Sequence, residues 1–402
     1  MNSATVGEAP KLPKVAPDGL AASIILAFLT TAGLFYVNIM PALVSGLIDG
    51  LGFSQQTAGY VASANVYGAS LGAFTSVFLV KKLPWRRTAV VTLLALVAID
   101  LVSTLVLVPE VLIPLRFVHG TTGGLLVGVG FAVIARTHAP DKSFGMLLMV
   151  QYGLGGVGLM TLPRLVPLFG TPVLFYALIL FSLATLCMIP FLGSYPAKQH
   201  SLVTAEDESG ARLYIKPLIL GLLAVFAFQA ANMGLAAYVI ELGKHYGLTT
   251  GSISTTLGIA NWIAVLGAVA VYVVGIRNGR LKPIVAGTVI TLVGMALFHF
   301  SAYQPAFVAA NIITGITWAF LIPYLLGMCS AFDGHGQMAA LSGFFSKMGL
   351  ASGPLVAALV VGDGAYDLII NLALFGTLLS LVAAFLPAQL LDERDTPHSG
   401  NE

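Results

Sequence analysis

Charge is scarce in this sequence. Of 402 residues only 9% are Asp, Glu, Lys or Arg, against roughly 25% in a soluble globular domain, while 57% are hydrophobic. A water-soluble fold must wet its own outside, and too few polar groups are present to do that. A bilayer removes the conflict, because hydrocarbon solvates the outside. Cysteine is nearly absent: Cys187 and Cys329 each fall inside an apolar segment, which argues against a structural disulfide. The sequence has no metal-ligand spacing, phosphate-cradling loop or nucleophile triad. An ATP-driven pump and an enzyme therefore find no support, and no cofactor or metal is expected. No loop is long enough to hold a folded soluble domain, which weighs against a receptor. The net charge of +2 arises from short scattered clusters, without the basic stripe that nucleic-acid binding needs.

What is abundant is apolar length. A spanning helix needs about 20 mainly apolar residues, and twelve segments meet that test: 20–47, 57–80, 88–108, 111–135, 145–168, 171–193, 214–240, 252–276, 284–303, 306–330, 338–361 and 367–390. The first follows Lys11 and Lys14 but is too long for a signal-peptide core and lacks a small-residue cleavage pattern, so it reads as a retained span. Most connections are short. The exception, 194–213, is polar and charged and sits at the middle of the chain. The expected organisation is an N-terminal tail (1–19), a six-helix half (20–193), a central loop (194–213), a second six-helix half (214–390) and a C-terminal tail (391–402). With the N-terminus inside, fifteen of the nineteen Lys and Arg residues fall on cytoplasmic segments. The positive-inside rule then places both termini in the cytoplasm and the chain in the plasma (inner) membrane.

The halves repeat weakly. KKLPWRR (81–87) follows the second span and RNGRLKP (277–283) follows the eighth, 196 residues later. At nearly that offset Arg116-x-x-x-Gly120 faces Asn311-x-x-x-Gly315. Internal symmetry of this kind marks repeat-built transporters, whose substrate site lies near the midplane between repeats.

Twelve spans, a charged central loop and a basic cluster after span two resemble the major facilitator superfamily over essentially the whole chain. The loop after span two keeps the family's basic residues as Lys81, Lys82, Arg86 and Arg87 but lacks its acidic one. RFVHGTTGG (116–124) is similar to the fourth-span motif, and GLGGVGLMTLP (153–163) is a loose version of the fifth-span motif of antiporters. The resemblance implies an all-α membrane fold of two pseudo-symmetric six-helix halves and a monomer. Spans 1, 4, 7 and 10 would line a cavity, spans 2, 5, 8 and 11 would rock against each other, and the loop after span two would act in gating.

Ionisable groups within a span cost roughly 2.5–3.5 kcal/mol each, so each needs a reason. Lys347 lies about nine residues into span eleven, near the bilayer centre by helical rise. It is expected to bind an anionic group, with snorkelling or carboxylate pairing as the competing structural reading. An eleventh-span lysine is similarly placed in the oxalate–formate exchange branch, a likeness in this one feature. The 196-residue offset sets Gln151 opposite Lys347 as a neutral partner. Asp100 and Arg116 lie at matching depths in spans three and four. They read either as a structural ion pair or as a proton site in which Arg116 moves away while Asp100 exchanges a proton. His119 and His299 are candidate relays or hydrogen-bonded structural histidines.

Buried amides in hydrocarbon need partners, so a polar and aromatic set should face the interior: Tyr36, Asn38, Asn65, Tyr67, Gln229, Asn232, Asn261, Trp262, Asn311 and Trp318. Contact with substrate and bonding between helices explain this set equally well. The expected function is secondary transport of a small organic anion, most simply a carboxylate, by alternating access with possible symport or antiport of protons. The competing expectation is proton-driven efflux of neutral or hydrophobic drugs; a cationic drug would call for a cavity acid, and the first span has none.

Overall fold

The computed structural model describes residues 13–79, 83–138, 140–196, 215–276, 279–332, 337–362 and 364–395, and these are helical, with no strand. Hydrocarbon offers no partner for a backbone N–H or C=O, so each crossing segment closes its own ladder as a helix. Span one is broken into α1 (Leu20–Ala32), α2 (Phe35–Asn38) and α3 (Met40–Leu51). Spans two to six are α4 (Gln55–Leu79), α5 (Trp85–Ser103), α6 (Pro109–Ile134), α7 (Pro140–Phe169) and α8 (Pro172–Met188). Span seven is α9 (Ile215–Ala237) with α10 (Val239–His245), and span eight is α11 (Thr250–Ile263) with α12 (Val265–Val274). The last four are α13 (Leu281–Ala296), α14 (Gln304–Ser330), α15 (Gln337–Val361) and α16 (Tyr366–Asp395).

Nine helices among the described residues are apolar and long enough to cross a membrane on their own. Span one misses that criterion because it is broken, span two because Asn65 and many small or polar residues lower its hydropathy, and span three because Arg86, Arg87 and Asp100 place three charged residues in its short length. The even number of crossings brings the start of α1 and the finish of α16 to the same end of the bundle, the terminal end; the opposite end is the far end.

The structure corrects the repeat offset from 196 to 195. Ile39 breaks span one at φ −109°, ψ 14° and Tyr238 breaks span seven at φ −108°, ψ 8°, so the break in the second half falls about one helical turn later in the repeat than that in the first. Past each break the chain turns at a glycine in the left-handed region, Gly52 (φ 68°) and Gly247 (φ 82°), 195 residues apart. Two residues on, the Ser54 and Thr249 hydroxyls accept the backbone N–H of Thr57 and Ser252 and start the next span. One backbone plan has been used twice. At this offset the counterpart of Lys347 is Tyr152, not Gln151.

Within the first half α4 lies directly on α6, because Gly68, Gly72, Gly120 and Gly124 remove side chains from the contact; a Cβ on Gly120 would strike the Asn65 carbonyl. Between the halves α7 meets α11 and α4 meets α15, the pairing expected of spans 2, 5, 8 and 11. Hydrogen bonds between described side chains of the two halves lie at mid-depth or towards the far end. Lys244 reaches Ser45 Oγ (2.9 Å) and Asp49 (2.5 Å), Tyr238 and Tyr366 donate to Gln55 (2.7 and 2.8 Å), and Tyr67 meets Ser352 (2.8 Å). Arg164 donates to Ser254 Oγ and to the Gly251 carbonyl (3.0 and 2.7 Å), and also touches Thr255. Towards the terminal end α4 and α15 meet through apolar rings, Phe74 on Phe344 at 5.7 Å.

Candidate functional site

A cavity of about 570 Å³ lies between the halves. It runs from Phe298 and Asn311, towards the far end, to Phe131, Phe144 and Leu326 near the terminal ends of their helices. The broken span one supplies Leu34, Val37, Asn38 and Pro41 to its wall. Its polar lining consists of Asn38, Gln151, Tyr152, Gln229, Asn232, Asn261, Asn311, Thr314 and Trp318, and among the described residues no ionisable carboxylate, amine, guanidinium or imidazole lines it.

Several of these side chains hold one another. Gln229 uses both ends of its amide, donating to Ser346 Oγ (2.7 Å) and accepting from Trp318 Nε1 (2.8 Å), and so joins spans seven, ten and eleven. Tyr152 meets the Trp318 ring edge-on at 6.4 Å. Asn261 Nδ2 donates to the Tyr152 carbonyl (2.8 Å) and stitches span eight to span five at the depth of the cavity.

Five residues expected in the cavity lie elsewhere: Asn65 and Tyr67, which bond the Arg116 carbonyl (3.1 Å) and Ser352 (2.8 Å), and Trp262, Tyr36 and Lys347. Trp262 donates Nε1 to the Gly153 carbonyl (3.0 Å) but is 43% exposed on the seam of α7 and α11, because the bond that anchors it leaves its ring on the outside of the bundle. Tyr36 is buried against His119 (rings 5.8 Å apart) and under the Arg116 guanidinium (6.0 Å). Lys347 is absent from the lining, and neither Gln151 nor Tyr152 bonds to it. It shares a helical face with Gly343 and Leu350, and Leu350 does line the cavity. Val356, nine residues on and so half a turn round, is 45% exposed on the lipid side. Lys347 therefore points inward, and among the described residues its ammonium has no hydrogen-bond or ion-pair partner.

The charged residues of spans three and four form a second, separate cluster. Arg116 Nη1 donates to Asp100 Oδ1 at 2.8 Å, both side chains being 0% exposed. Arg116 also bonds Ser103 and lies over the Phe175 ring at 5.0 Å. His119 Nε2 stands 3.3 Å from Asp100 Oδ2. Asn65 Nδ2 donates to the Arg116 carbonyl (3.1 Å) and approaches His119 Nδ1 at 2.8 Å. Because that amide nitrogen can only donate, Nδ1 accepts and the imidazole proton sits on Nε2, facing Asp100. Two atoms here are buried without a hydrogen-bond partner, Asp100 Oδ2 and Arg116 Nε.

Of the expected gating residues, Lys81 and Lys82 lie outside the described residues. Arg87 is exposed. Arg86 donates to the Leu192 and Gly193 carbonyls (2.7 and 2.8 Å) beside the Trp85 ring, so here it ties spans three and six within one half. His299 is on the far surface, within reach of Asp367 (3.1 Å) and Asn371 (3.1 Å), and has no place in a buried relay. Sequence reading missed Tyr152 and Thr314 as wall residues. It also missed the triad Asp49–Lys244–Glu241, in which Lys244 joins Glu241 at 2.8 Å and Asp49 at 2.5 Å. A signal for that triad existed: Asp49 and Lys244 are opposite charges 195 residues apart, and Glu241 precedes Lys244 by one helical turn.

None of the proteins of curated function matches the sequence. Solved structures match in fold. A nucleoside transporter, NupG, superposes with a TM-score of 0.69 at 16% identity over 92% of this chain and 100% of that one. A D-xylose–proton symporter superposes with a TM-score of 0.70 at 16% identity over 90% of this chain and 97% of that one. The sequence profile of the Major Facilitator Superfamily matches residues 23–358. With twelve crossings in two repeated halves around a central cavity, the chain belongs to the Major Facilitator Superfamily of membrane transporters.

Proposed function

We propose that this transporter carries a small uncharged, hydrogen-bonding solute by alternating access, coupled to protons through Asp100, Arg116 and His119. One observation carries the choice of solute: the cavity is walled by six carboxamides, a tyrosine and a tryptophan on an apolar background, with no ionised side chain among the described residues. An ion entering this wall would lose its hydration without gaining a counter-charge, whereas a neutral polar solute exchanges water for amides at little cost. The organisation of the far end fits alternating access, since Lys244, Arg164, Tyr238 and Tyr366 close it with bonds that separate when the halves rock. By the distribution of Lys and Arg the terminal end is cytoplasmic, so the cavity reaches towards the cytoplasm.

The coupling role rests on the unpartnered Asp100 Oδ2, 3.3 Å from His119 Nε2. With the imidazole proton already on Nε2 and Nδ1 accepting from Asn65, an arriving proton goes to Asp100 itself, and Arg116 decides by its position whether the carboxylate is stable without one. A second reading, transport of an organic anion, is favoured by the inward-pointing, unpartnered Lys347. Uptake into proteoliposomes separates the two. Radiolabelled neutral hydroxylated solutes should enter, faster under an inward proton gradient, and be blocked only by uncharged competitors. Uptake confined to monocarboxylates and lost in Lys347→Ala would overturn the first reading in favour of the second.

A further inference from the structure

We infer that the one-turn helix α2 carries the coupling between the cavity and the charge cluster, with Tyr36 as the positioning residue on its proton side. The inference rests on the proposed coupling through Asp100, Arg116 and His119 and supplies the route by which the cavity senses that site.

Four consecutive residues of span one, Phe35–Asn38, meet three different surroundings. Phe35 stacks on Phe181 of span six at 4.5 Å. Tyr36, 2% exposed, lays its ring beside His119 (5.8 Å) and beneath the Arg116 guanidinium (6.0 Å). Val37 and Asn38 line the cavity. The turn is therefore the partition between the solute space and the sealed cluster, and a displacement of it is felt on both sides.

Its backbone permits such a displacement. Leu34 N donates to Thr31 O at 2.8 Å, and Leu34 O accepts from both Val37 N (2.9 Å) and Asn38 N (3.2 Å), so the ladder runs partly in i→i−3 rungs. Short stretches of this tighter winding inside a helix mark hinges. Exchanging these rungs for i→i−4 ones rewinds the turn from about 3.0 to about 3.6 residues and swings Tyr36 relative to Arg116. The side-chain bond that ties α2 to span five, Asn38 Nδ2 to Gln151 O, is 3.5 Å long and correspondingly weak, so a solute reaching Asn38 replaces it at little cost. The second half supplies the contrast. Ala231, Asn232 and Met233, the counterparts of Tyr36, Val37 and Asn38 at the 195-residue offset, lie inside unbroken α9, and Ala260, Met295, Asn311 and Thr314 stand where the charge cluster would be. The broken turn and the cluster occur together.

A proton on Asp100 removes the charge that holds Arg116. The guanidinium then shifts over the Tyr36 ring, the turn rewinds, and Val37 and Asn38 change what they present to the solute. By linkage the effect is reciprocal, and a solute at Asn38 alters the proton affinity of Asp100.

A double-mutant cycle on the purified full chain tests this without a solute. N-ethylmaleimide labelling of Val37→Cys, read at that residue by mass spectrometry, reports the cavity side of α2, and Asp100→Asn stands for the protonated carboxylate. Asp100→Asn should change the labelling rate about tenfold, a usual coupling between sites. With Tyr36→Leu present the same substitution should change it by less than about twofold, whereas Tyr36→Phe, which keeps a ring under Arg116, should retain the full response. Tyr36→Met serves as a second variant should Tyr36→Leu fail to fold. An equal response with and without Tyr36→Leu overturns the inference and leaves coupling through the cluster standing. A response lost in Tyr36→Phe as well overturns the role of the ring. No response to Asp100→Asn with Tyr36 in place overturns both the inference and the coupling reading.

Discussion

The two halves share a backbone plan and differ in what they place on it. In the first half Asn65, Asp100, Arg116 and His119 close into a charge cluster from which both water and the cavity are excluded. The residues 195 positions later are Ala260, Met295, Asn311 and Thr314, and all four line the cavity. The same location is a sealed ionic site in one repeat and an open neutral wall in the other. Burying charge demands a fixed, complete set of partners, which suits a site whose only cargo is a proton. Accepting a solute demands the opposite, unpartnered polar atoms facing a space. On the proposed reading, the difference gives coupling to the first half and most solute contacts to the second.

The largest break in this comparison comes from Arg116→Leu. It leaves the Asp100 carboxylate buried beside apolar rings and should lower stability by about 3–5 kcal/mol, read as a large fall in the unfolding temperature of the purified protein. Replacing both partners, Asp100→Leu with Arg116→Met, should recover most of that loss, because no lone charge remains. The equivalent change in the second half, Asn311→Leu, should cost only about 1 kcal/mol, since its amide bonds its own helix and faces open space. Equal losses at the two positions would remove the distinction between sealed and open sites.

The smallest expected effect lies where the halves meet. Asp49 and Lys244 also stand 195 residues apart, yet here the repeats differ in sign and join, at 2.5 Å. The pair is part-exposed, with side chains 40% and 24% accessible, so Lys244→Met should shift the balance towards opening of the far end by only about 0.2–1 kcal/mol. Faster labelling of a cysteine placed at Ser45 would register it; unchanged labelling would mean that Arg164, Tyr238 and Tyr366 hold that end without the ion pair.

Much of this frame was legible in the sequence because the bilayer imposes a length and a composition on every crossing. The span expected at 111–135 is α6, Pro109–Ile134, and the one expected at 306–330 is α14, Gln304–Ser330. The break at Ile39 carried a local signal in Pro41, which stands at the start of α3 and cannot donate to the helical ladder. The break at Tyr238 was not legible, because neither it nor its immediate neighbours are Gly or Pro. The face of each polar residue was only partly readable. Apolar periodicity is weak when one side of a helix meets lipid and the other meets apolar neighbours, so Trp262 and Asn261, adjacent in sequence, could not be assigned to seam and cavity. Tyr36 illustrates the same gap: its partners Arg116 and His119 lie 80 and 83 residues away. The charge pair was easier, because an ionised group in hydrocarbon has few alternatives to a partner at equal depth.

The division of labour is tested most directly by solute counterflow and proton-driven accumulation in proteoliposomes carrying Asp100→Asn or Asn311→Leu. Counterflow needs solute binding and reorientation but no net proton movement. Asp100→Asn should keep counterflow and lose the acceleration by an inward proton gradient, whereas Asn311→Leu should weaken both through a raised half-saturation concentration. Loss of counterflow in a folded Asp100→Asn protein, or unchanged solute affinity in Asn311→Leu, would contradict the account.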